Sequence, residues 1–318
     1  MWRKLYKSGK VPFFAVVVMV SIMDIKSALA LGVIHSLGAL SLPRARQLGS
    51  VIGRTLCFTK SRMYKVTLKN IELCYPQMPA EQQVQLAKES LQETAKTIAE
   101  TGIAWGGTQA KFERNANMIQ NTRNQHLFDE ALANKEGVLI LTPHIGNWEF
   151  ISSWLPQRCH LMALYKIAKM PGFEKAMLKA REDSGAKLVP GTGQGVKAFF
   201  QHYMDKQVTL ILPDQEPSVK SGVWADFFGI NTLTPKIVHA MIQKNPKGRV
   251  LFAYNLRTET GFEMVFRDVD NGIYSEDPEQ SAQAMNKGIE ACIADAPAQY
   301  QWDYKRFKKH PDGFYKGL

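Results

Sequence analysis

The order of apolar runs along this chain predicts an α/β protein with a mostly parallel central sheet flanked by helices. Short runs of strand length, at Val138–Leu141, His160–Leu164, Lys187–Val189 and Val208–Leu212, alternate with helical stretches at Phe173–Ser184 and Gly195–Met204; that alternation is the pattern of a parallel sheet. Two further strand runs, Arg249–Asn255 and Phe262–Arg267, follow each other closely and suit a hairpin. Finally, His144 and Asp214 each stand just behind a predicted strand, on the carboxyl edge where such sheets gather ligands.

Taken in order, the chain opens with Arg3, Lys4, Lys7 and Lys10 ahead of an apolar run from Val11 to Met23. Asp24 and Lys26 interrupt it, and Ser27 to Leu42 is again largely apolar. A span of about 20 apolar residues would have to include both charges. Basic residues also follow, among them Arg44, Arg46, Arg54, Lys60 and Arg62, so a positive-inside bias cannot orient a single span. Two basic flanks suit a segment that dips into the bilayer from the cytoplasmic side and returns, or one that lies in the interface. We therefore expect an N-terminal membrane anchor over residues 1–43 and one folded domain over 44–318. A cleaved signal peptide ending near Ala28-Leu29-Ala30 and a helix buried in the core are the alternatives.

Val84, Leu91 and Ile98, with Ala87 and Ala95 between, predict an amphipathic helix running towards Trp105 whose apolar stripe faces the core. Helices are also expected over Pro235–Lys244 and Pro278–Ala294. Gly191-Thr192-Gly193-Gln194-Gly195 resembles a nucleotide-binding loop, but Val196 occupies the third glycine position. It reads better as a turn that opens the next helix.

Chemistry concentrates in His144-Ile145-Gly146-Asn147-Trp148-Glu149, directly after the Val138–Leu141 run. A histidine behind a core strand, with a carboxylate five positions on, is the layout of a general base and its orienter. One helix turns roughly 100° per residue, so two helical residues at this spacing point about 140° apart. The pair can meet only across a turn from Pro143 to Asn147, for which Pro143 and Gly146 are suited. The plainer alternative is a core histidine and a surface glutamate.

The charge balance, 40 Lys+Arg against 29 Asp+Glu, gives a net +11. Nucleic acid, an anionic membrane and an acidic soluble partner all suit that excess. The basic C-terminal cluster of Lys305, Arg306, Lys308, Lys309 and Lys316 lacks any nucleic-acid-binding motif, so no nucleic-acid partner is expected. Cys57, Cys74, Cys159 and Cys292 form no Cys-x-x-Cys pair and read as reduced thiols, with no metal site.

The hexapeptide resembles the signature of the bacterial lipid A late acyltransferases (lauroyl/myristoyl acyltransferases), within the wider glycerolipid-acyltransferase-like group. Three further blocks match that family in order. They are Asn70-Ile71-Glu72-Leu73-Cys74-Tyr75-Pro76, Pro213-Asp214-Gln215 with Trp224 to Gly229, and Ala296 to Trp302 leading into Lys305-Arg306-Phe307-Lys308. The likeness spans roughly residues 45 to 313. Two stretches depart from it. Tyr165-Lys166-Ile167 stands where the family usually has Tyr-Arg-Pro, and Trp302-Asp303-Tyr304 where Trp-Leu-His is usual. Lysine keeps the arginine's charge but loses its bidentate fork, so these changes bear on the acceptor contacts and on acyl-chain preference.

The resemblance implies an enzyme of lipopolysaccharide biosynthesis on the cytoplasmic face of the bacterial inner membrane. It would move a fatty acyl chain from acyl carrier protein to the hydroxyl of a 3-hydroxyacyl chain on a lipid A precursor. The expected partners are acyl carrier protein, the lipid A precursor and anionic inner-membrane lipids, and the only co-substrate is the carrier's thioester, without cofactor or metal. His144 would be the general base and Glu149 the group that holds its tautomer. Asn147, Lys166, Arg181 and Asp214 would contact substrate, Arg181 at a position where it could hold a phosphate or complement its helix dipole. The alternatives are another lipid acceptor such as a lysophospholipid, a non-catalytic lipid-binding protein, and a metal-dependent hydrolase using His144, Glu149 and Asp214.

Overall fold

A computed structural model describes the backbone of residues 13–105 and 108–318, and the side chains from residue 25 onward within those limits. The basic start of the chain and the apolar side chains up to Met23, which carry much of the anchor expectation, therefore lie outside the described residues.

The sheet grows outward from β2 (Val138–Leu141), whose four residues are all buried. Its neighbours are β5 (Val208–Ile211) and β8 (Arg249–Arg257), both parallel to it. Continuous apolar runs such as these suit strands covered on both faces. β3 (Leu161–Tyr165) and β4 (Lys187–Pro190) extend the parallel part beyond β5. On the other side β9 (Phe262–Asp268) turns back antiparallel to β8, and β1 (Ile119–Arg123) lies parallel to β9 at the edge. The order is β1-β9-β8-β2-β5-β3-β4. The expected hairpin is present. β1 was not foreseen, because Ile119-Gln120-Asn121-Thr122-Arg123 is polar and only Ile119 is buried. A separate antiparallel ribbon, β6 (Gly222–Phe227) with β7 (Ile230–Pro235), was also absent from the sequence reading.

Helices cover both faces. One core cluster holds Phe227, Tyr300, Trp302 and Phe307, and the other holds Phe128, Phe150, Trp154, Phe262 and Phe266. The N-terminal part is helical: α1 (Phe13–Gly38), α2 (Leu42–Phe58), α3 (Arg62–Cys74) and α4 (Ala80–Ala104). α2 lies close on α4 because Gly49 and Gly53 face its backbone; a Cβ there would sit 2.6 and 2.5 Å from the Cα atoms of Lys96 and Gln92.

The predicted stripe on α4 needs one correction. Ala87, Leu91 and Ala95 are buried, but Ile98 is 55% exposed. The inward face is completed by Ser90, Thr97 and Glu100, polar residues that a hydrophobic pattern cannot reveal. Arg46 is a second correction. It is buried rather than part of an outward basic flank.

Ile25, Leu29 and Val33 on α1 are exposed, as are Val51, Ile52 and Phe58 on α2. Among the described residues no helix is long and apolar enough to cross a membrane.

Candidate active site

Register alone brings the two key polar residues together. Leu141 of β2 pairs with Ile211 of β5, so His144 and Asp214 each lie three residues past the paired positions on adjacent parallel strands. Asp214 then holds His144 twice. The ring Nδ1 is 2.6 Å from one carboxylate oxygen, and the backbone N–H of His144 donates to the other at 2.8 Å. Asp214 is 2% exposed. Burial pushes its carboxyl up, but the charge and hydrogen bonds of His144 outweigh that and hold it below the ordinary aspartate range.

The turn expected between Pro143 and Asn147 is present, and Gly146 is its pivot with φ +59°. That left-handed conformation favours glycine, and a Cβ would run into the Asn255 carbonyl. Backbone bonds pin the corner on both sides: Gly146 N–H donates to Gln299, Asn147 N–H to Asn255, and Gln301 N–H to the His144 carbonyl, each at 3.0 Å. The helix that follows is a short composite, a 3-10 turn at Trp148–Phe150 leading into Ile151–Trp154.

Glu149 does not orient His144, which corrects the sequence reading. Its carboxylate takes Arg181 in a two-point grip, with Nε at 3.0 Å and an Nη at 2.5 Å, and accepts from the Trp105 indole at 3.0 Å. The turn delivers both residues as expected, but Asp214 already fills the Nδ1 side and Arg181 draws Glu149 the other way. Burial pushes the Glu149 carboxyl up; the Arg181 charge and the Arg181 and Trp105 hydrogen bonds overcome it and hold it low. With Glu149 so occupied, the His144, Glu149 and Asp214 set of a metal-dependent hydrolase does not converge.

Asn147 is also reassigned. It is fully buried, so it cannot meet a substrate. Its side chain accepts from Glu149 N–H at 3.1 Å and donates to Glu100 at 2.9 Å. Glu100 in turn binds Arg46 at 2.7 Å and Arg257 through both oxygens, at 2.9 and 2.7 Å. This knot joins α2, α4 and β8 beneath the corner. Nothing in the sequence marks it, since its members lie far apart along the chain. Trp105 was likewise read only as a helix end.

A cavity of about 1110 Å³ opens in front of His144. Leu161, Ala163, Met177, Leu188, Phe200 and Leu210 give it apolar lining, and Lys166, Arg181 and Gln215 also line it. His144 Nε2 lies 3.4 Å from the Gln215 side-chain nitrogen. Trp148 packs edge-on to the imidazole, 4.8 Å between centroids. The glycine loop is a turn opening the helix Gly193–Met204, as expected, with Gly191 and Thr192 on the cavity rim.

A carboxylate-anchored imidazole beside a largely apolar cavity at a sheet edge has the geometry of a general base next to a binding site for an apolar group. Comparison with known proteins narrows this. The family described as bacterial lipid A biosynthesis acyltransferase matches residues 19–309, and the chain belongs to that family. It is 23% identical to the lipid A biosynthesis lauroyltransferase of Escherichia coli (strain K12), over 90% of this chain and 92% of that protein. The lipid A biosynthesis palmitoleoyltransferase of the same organism is 23% identical over 89% and 91%, and its myristoyltransferase 25% over 85% and 82%.

Proposed function

We propose that this chain transfers a fatty acyl group, of lauroyl or myristoyl type, from acyl carrier protein to the hydroxyl of a 3-hydroxyacyl chain on a lipid A precursor. The observation that carries this reading is His144 itself. Its Nδ1 is tied to Asp214, which leaves Nε2 to face an apolar cavity fit for an acyl chain.

Nε2 removes the proton of the acceptor hydroxyl as its oxygen attacks the thioester carbonyl, and Asp214 stabilises the imidazolium that forms. Lys166, on the cavity wall, supplies positive charge for the oxyanion. When the intermediate collapses, the C–S bond breaks and the departing thiolate takes the proton back from His144. No Ser or Cys is needed as a covalent intermediate.

The exposed apolar residues of α1 and α2, with Arg44, Arg54 and Lys60 also exposed, support seating on the cytoplasmic face of the inner membrane. Apolar area and cations together are what bind an anionic interface.

The test is turnover with labelled acyl carrier protein and a lipid A precursor. His144→Ala should lower it about a thousandfold while the thermal unfolding of the variant stays near wild type. Near-wild-type turnover would sink the assignment.

A further inference from the structure

The cavity in front of His144 reaches onto both faces of the sheet at the edge formed by β5 and β3. Side chains alternate between faces along a strand. Leu210 and Leu212 pack with the core cluster of Phe128, Phe150 and Trp154, and Ile211 with the cluster of Phe227 and Tyr300, yet all three line the cavity.

Thr142 belongs to the first of these faces. Its N–H donates to the Ile211 carbonyl at 2.9 Å, so the ladder of β2 continues one residue past Leu141. Alternation from Val138 and Ile140, both in the cluster of Phe128, Phe150 and Trp154, then puts the threonine side chain on their face.

Thr142 is 1% exposed, lines the cavity, and has no hydrogen-bond partner for its hydroxyl. Among the described residues, no other side chain that lines this cavity carries a buried polar atom without a partner. A threonine hydroxyl offers one donor and two acceptor positions, and leaving a buried one unpaired costs stability. The lining around it is apolar or already committed. Ser152 donates to the Glu149 carbonyl at 2.6 Å, and the Tyr165 hydroxyl to Glu174 at 3.1 Å. Arg181, expected to contact substrate, is held by Glu149 instead. Thr142 and His144 share the cavity, and two residues of chain separate their Cα atoms by at most about 7 Å.

We propose that the Thr142 hydroxyl binds the carbonyl oxygen of the acyl thioester and donates to it as negative charge develops there, which makes Thr142 a second catalytic residue beside His144. The assignment rests on the acyl-transfer reading. A carbonyl oxygen that enters an apolar cavity loses its water and needs a donor, and the Thr142 hydroxyl needs an acceptor. The other reacting group, the acceptor hydroxyl, is claimed by Nε2, which takes its proton. As the acceptor oxygen bonds to the carbonyl carbon, the C=O π pair moves onto the oxygen that faces Thr142. That pair returns when the C–S bond breaks, and Thr142 keeps its own proton throughout.

Thr142→Val removes the hydroxyl at nearly constant shape. Two probes isolate the carbonyl: S-octanoyl-N-acetylcysteamine, a thioester, and S-octyl-N-acetylcysteamine, the thioether that lacks it. In calorimetric titrations of the full chain, the wild type should bind the thioester about tenfold more tightly than the thioether, the effect of one hydrogen bond in a dry site. Thr142→Val should bind the two equally, and Thr142→Ser should keep the preference. Thr142→Val should also lower kcat roughly a hundredfold without lowering the thermal midpoint, since it removes an unpaired buried hydroxyl. A thioester preference that survives in Thr142→Val, or that is missing from the wild type, overturns the proposal. So does a lower midpoint for Thr142→Val, which shows a hydroxyl already satisfied in the free protein. Unchanged kcat in Thr142→Val, beside a wild type that turns over, overturns it and leaves the acyl-transfer reading standing. A preference that depends on Thr142, in a wild type that transfers nothing from labelled acyl carrier protein, tells instead against the acyl-transfer reading.

Discussion

Asp214 and Glu149 are two buried carboxylates at one corner of the sheet, and both are held below their ordinary proton affinity. Their partners differ. Asp214 faces an imidazole, a ring with a second nitrogen that can accept a proton, so its charge bears on Nε2. Glu149 faces a guanidinium, which keeps its proton throughout, so its charge fixes geometry between the site turn and the helix Pro171–Glu182. Equal burial does not confer equal roles. What sits on the other side of the hydrogen bond decides.

That contrast can be broken at either end. The largest expected effect is on Asp214. Asp214→Asn keeps the shape but loses the charge and permits the wrong tautomer; turnover should fall a hundredfold or more, with substrate KM little changed. A loss of only a few-fold would return the orienting role to Glu149 or remove it altogether.

Next is Glu149→Gln, which leaves Arg181 without its counter-charge. Breaking a buried pair typically costs about 3–5 kcal/mol; Arg181 retains 21% side-chain exposure, so a loss of about 2 kcal/mol is expected. Adding Arg181→Gln should recover part of it, a coupling that denaturant titration of the single and double variants can measure. If the second change only adds to the first, the pair is not the unit described here.

The smallest expected effect is on pH dependence. Because both folded carboxyls are depressed, the unfolded chain binds more protons in acid. Their contribution is complete above the unfolded values of about 4 and is lost as pH falls through the lower folded ones. Thermal midpoints from pH 7 down to pH 3 should fall in acid, and Glu149→Gln should flatten that fall. An unchanged slope would mean that Glu149 is not depressed in the folded protein.

Much of this was legible in the residues. The turn at Pro143–Asn147, the strand ahead of it and the hairpin of β8 with β9 follow from local patterns, because turn chemistry and burial periodicity act over a few residues. The polar edge strand β1 and the ribbon of β6 with β7 escaped, since neither shows a strong alternation. Glu149 was read as the orienter because it is near in sequence. Asn147 was read as a substrate contact because it lies inside the motif.

The sequence by itself determined the α/β order, the corner that carries His144 and the family to which the chain belongs. Only the tertiary structure decided which acid meets the imidazole. That choice depends on β2 lying beside β5 in one register, which sets His144 against a residue 70 positions away. The same long-range packing ties Glu100 to Arg46 and Arg257. Local sequence fixes dihedral angles and burial, but partners across a sheet are selected by how whole strands align, and no short-range pattern encodes that.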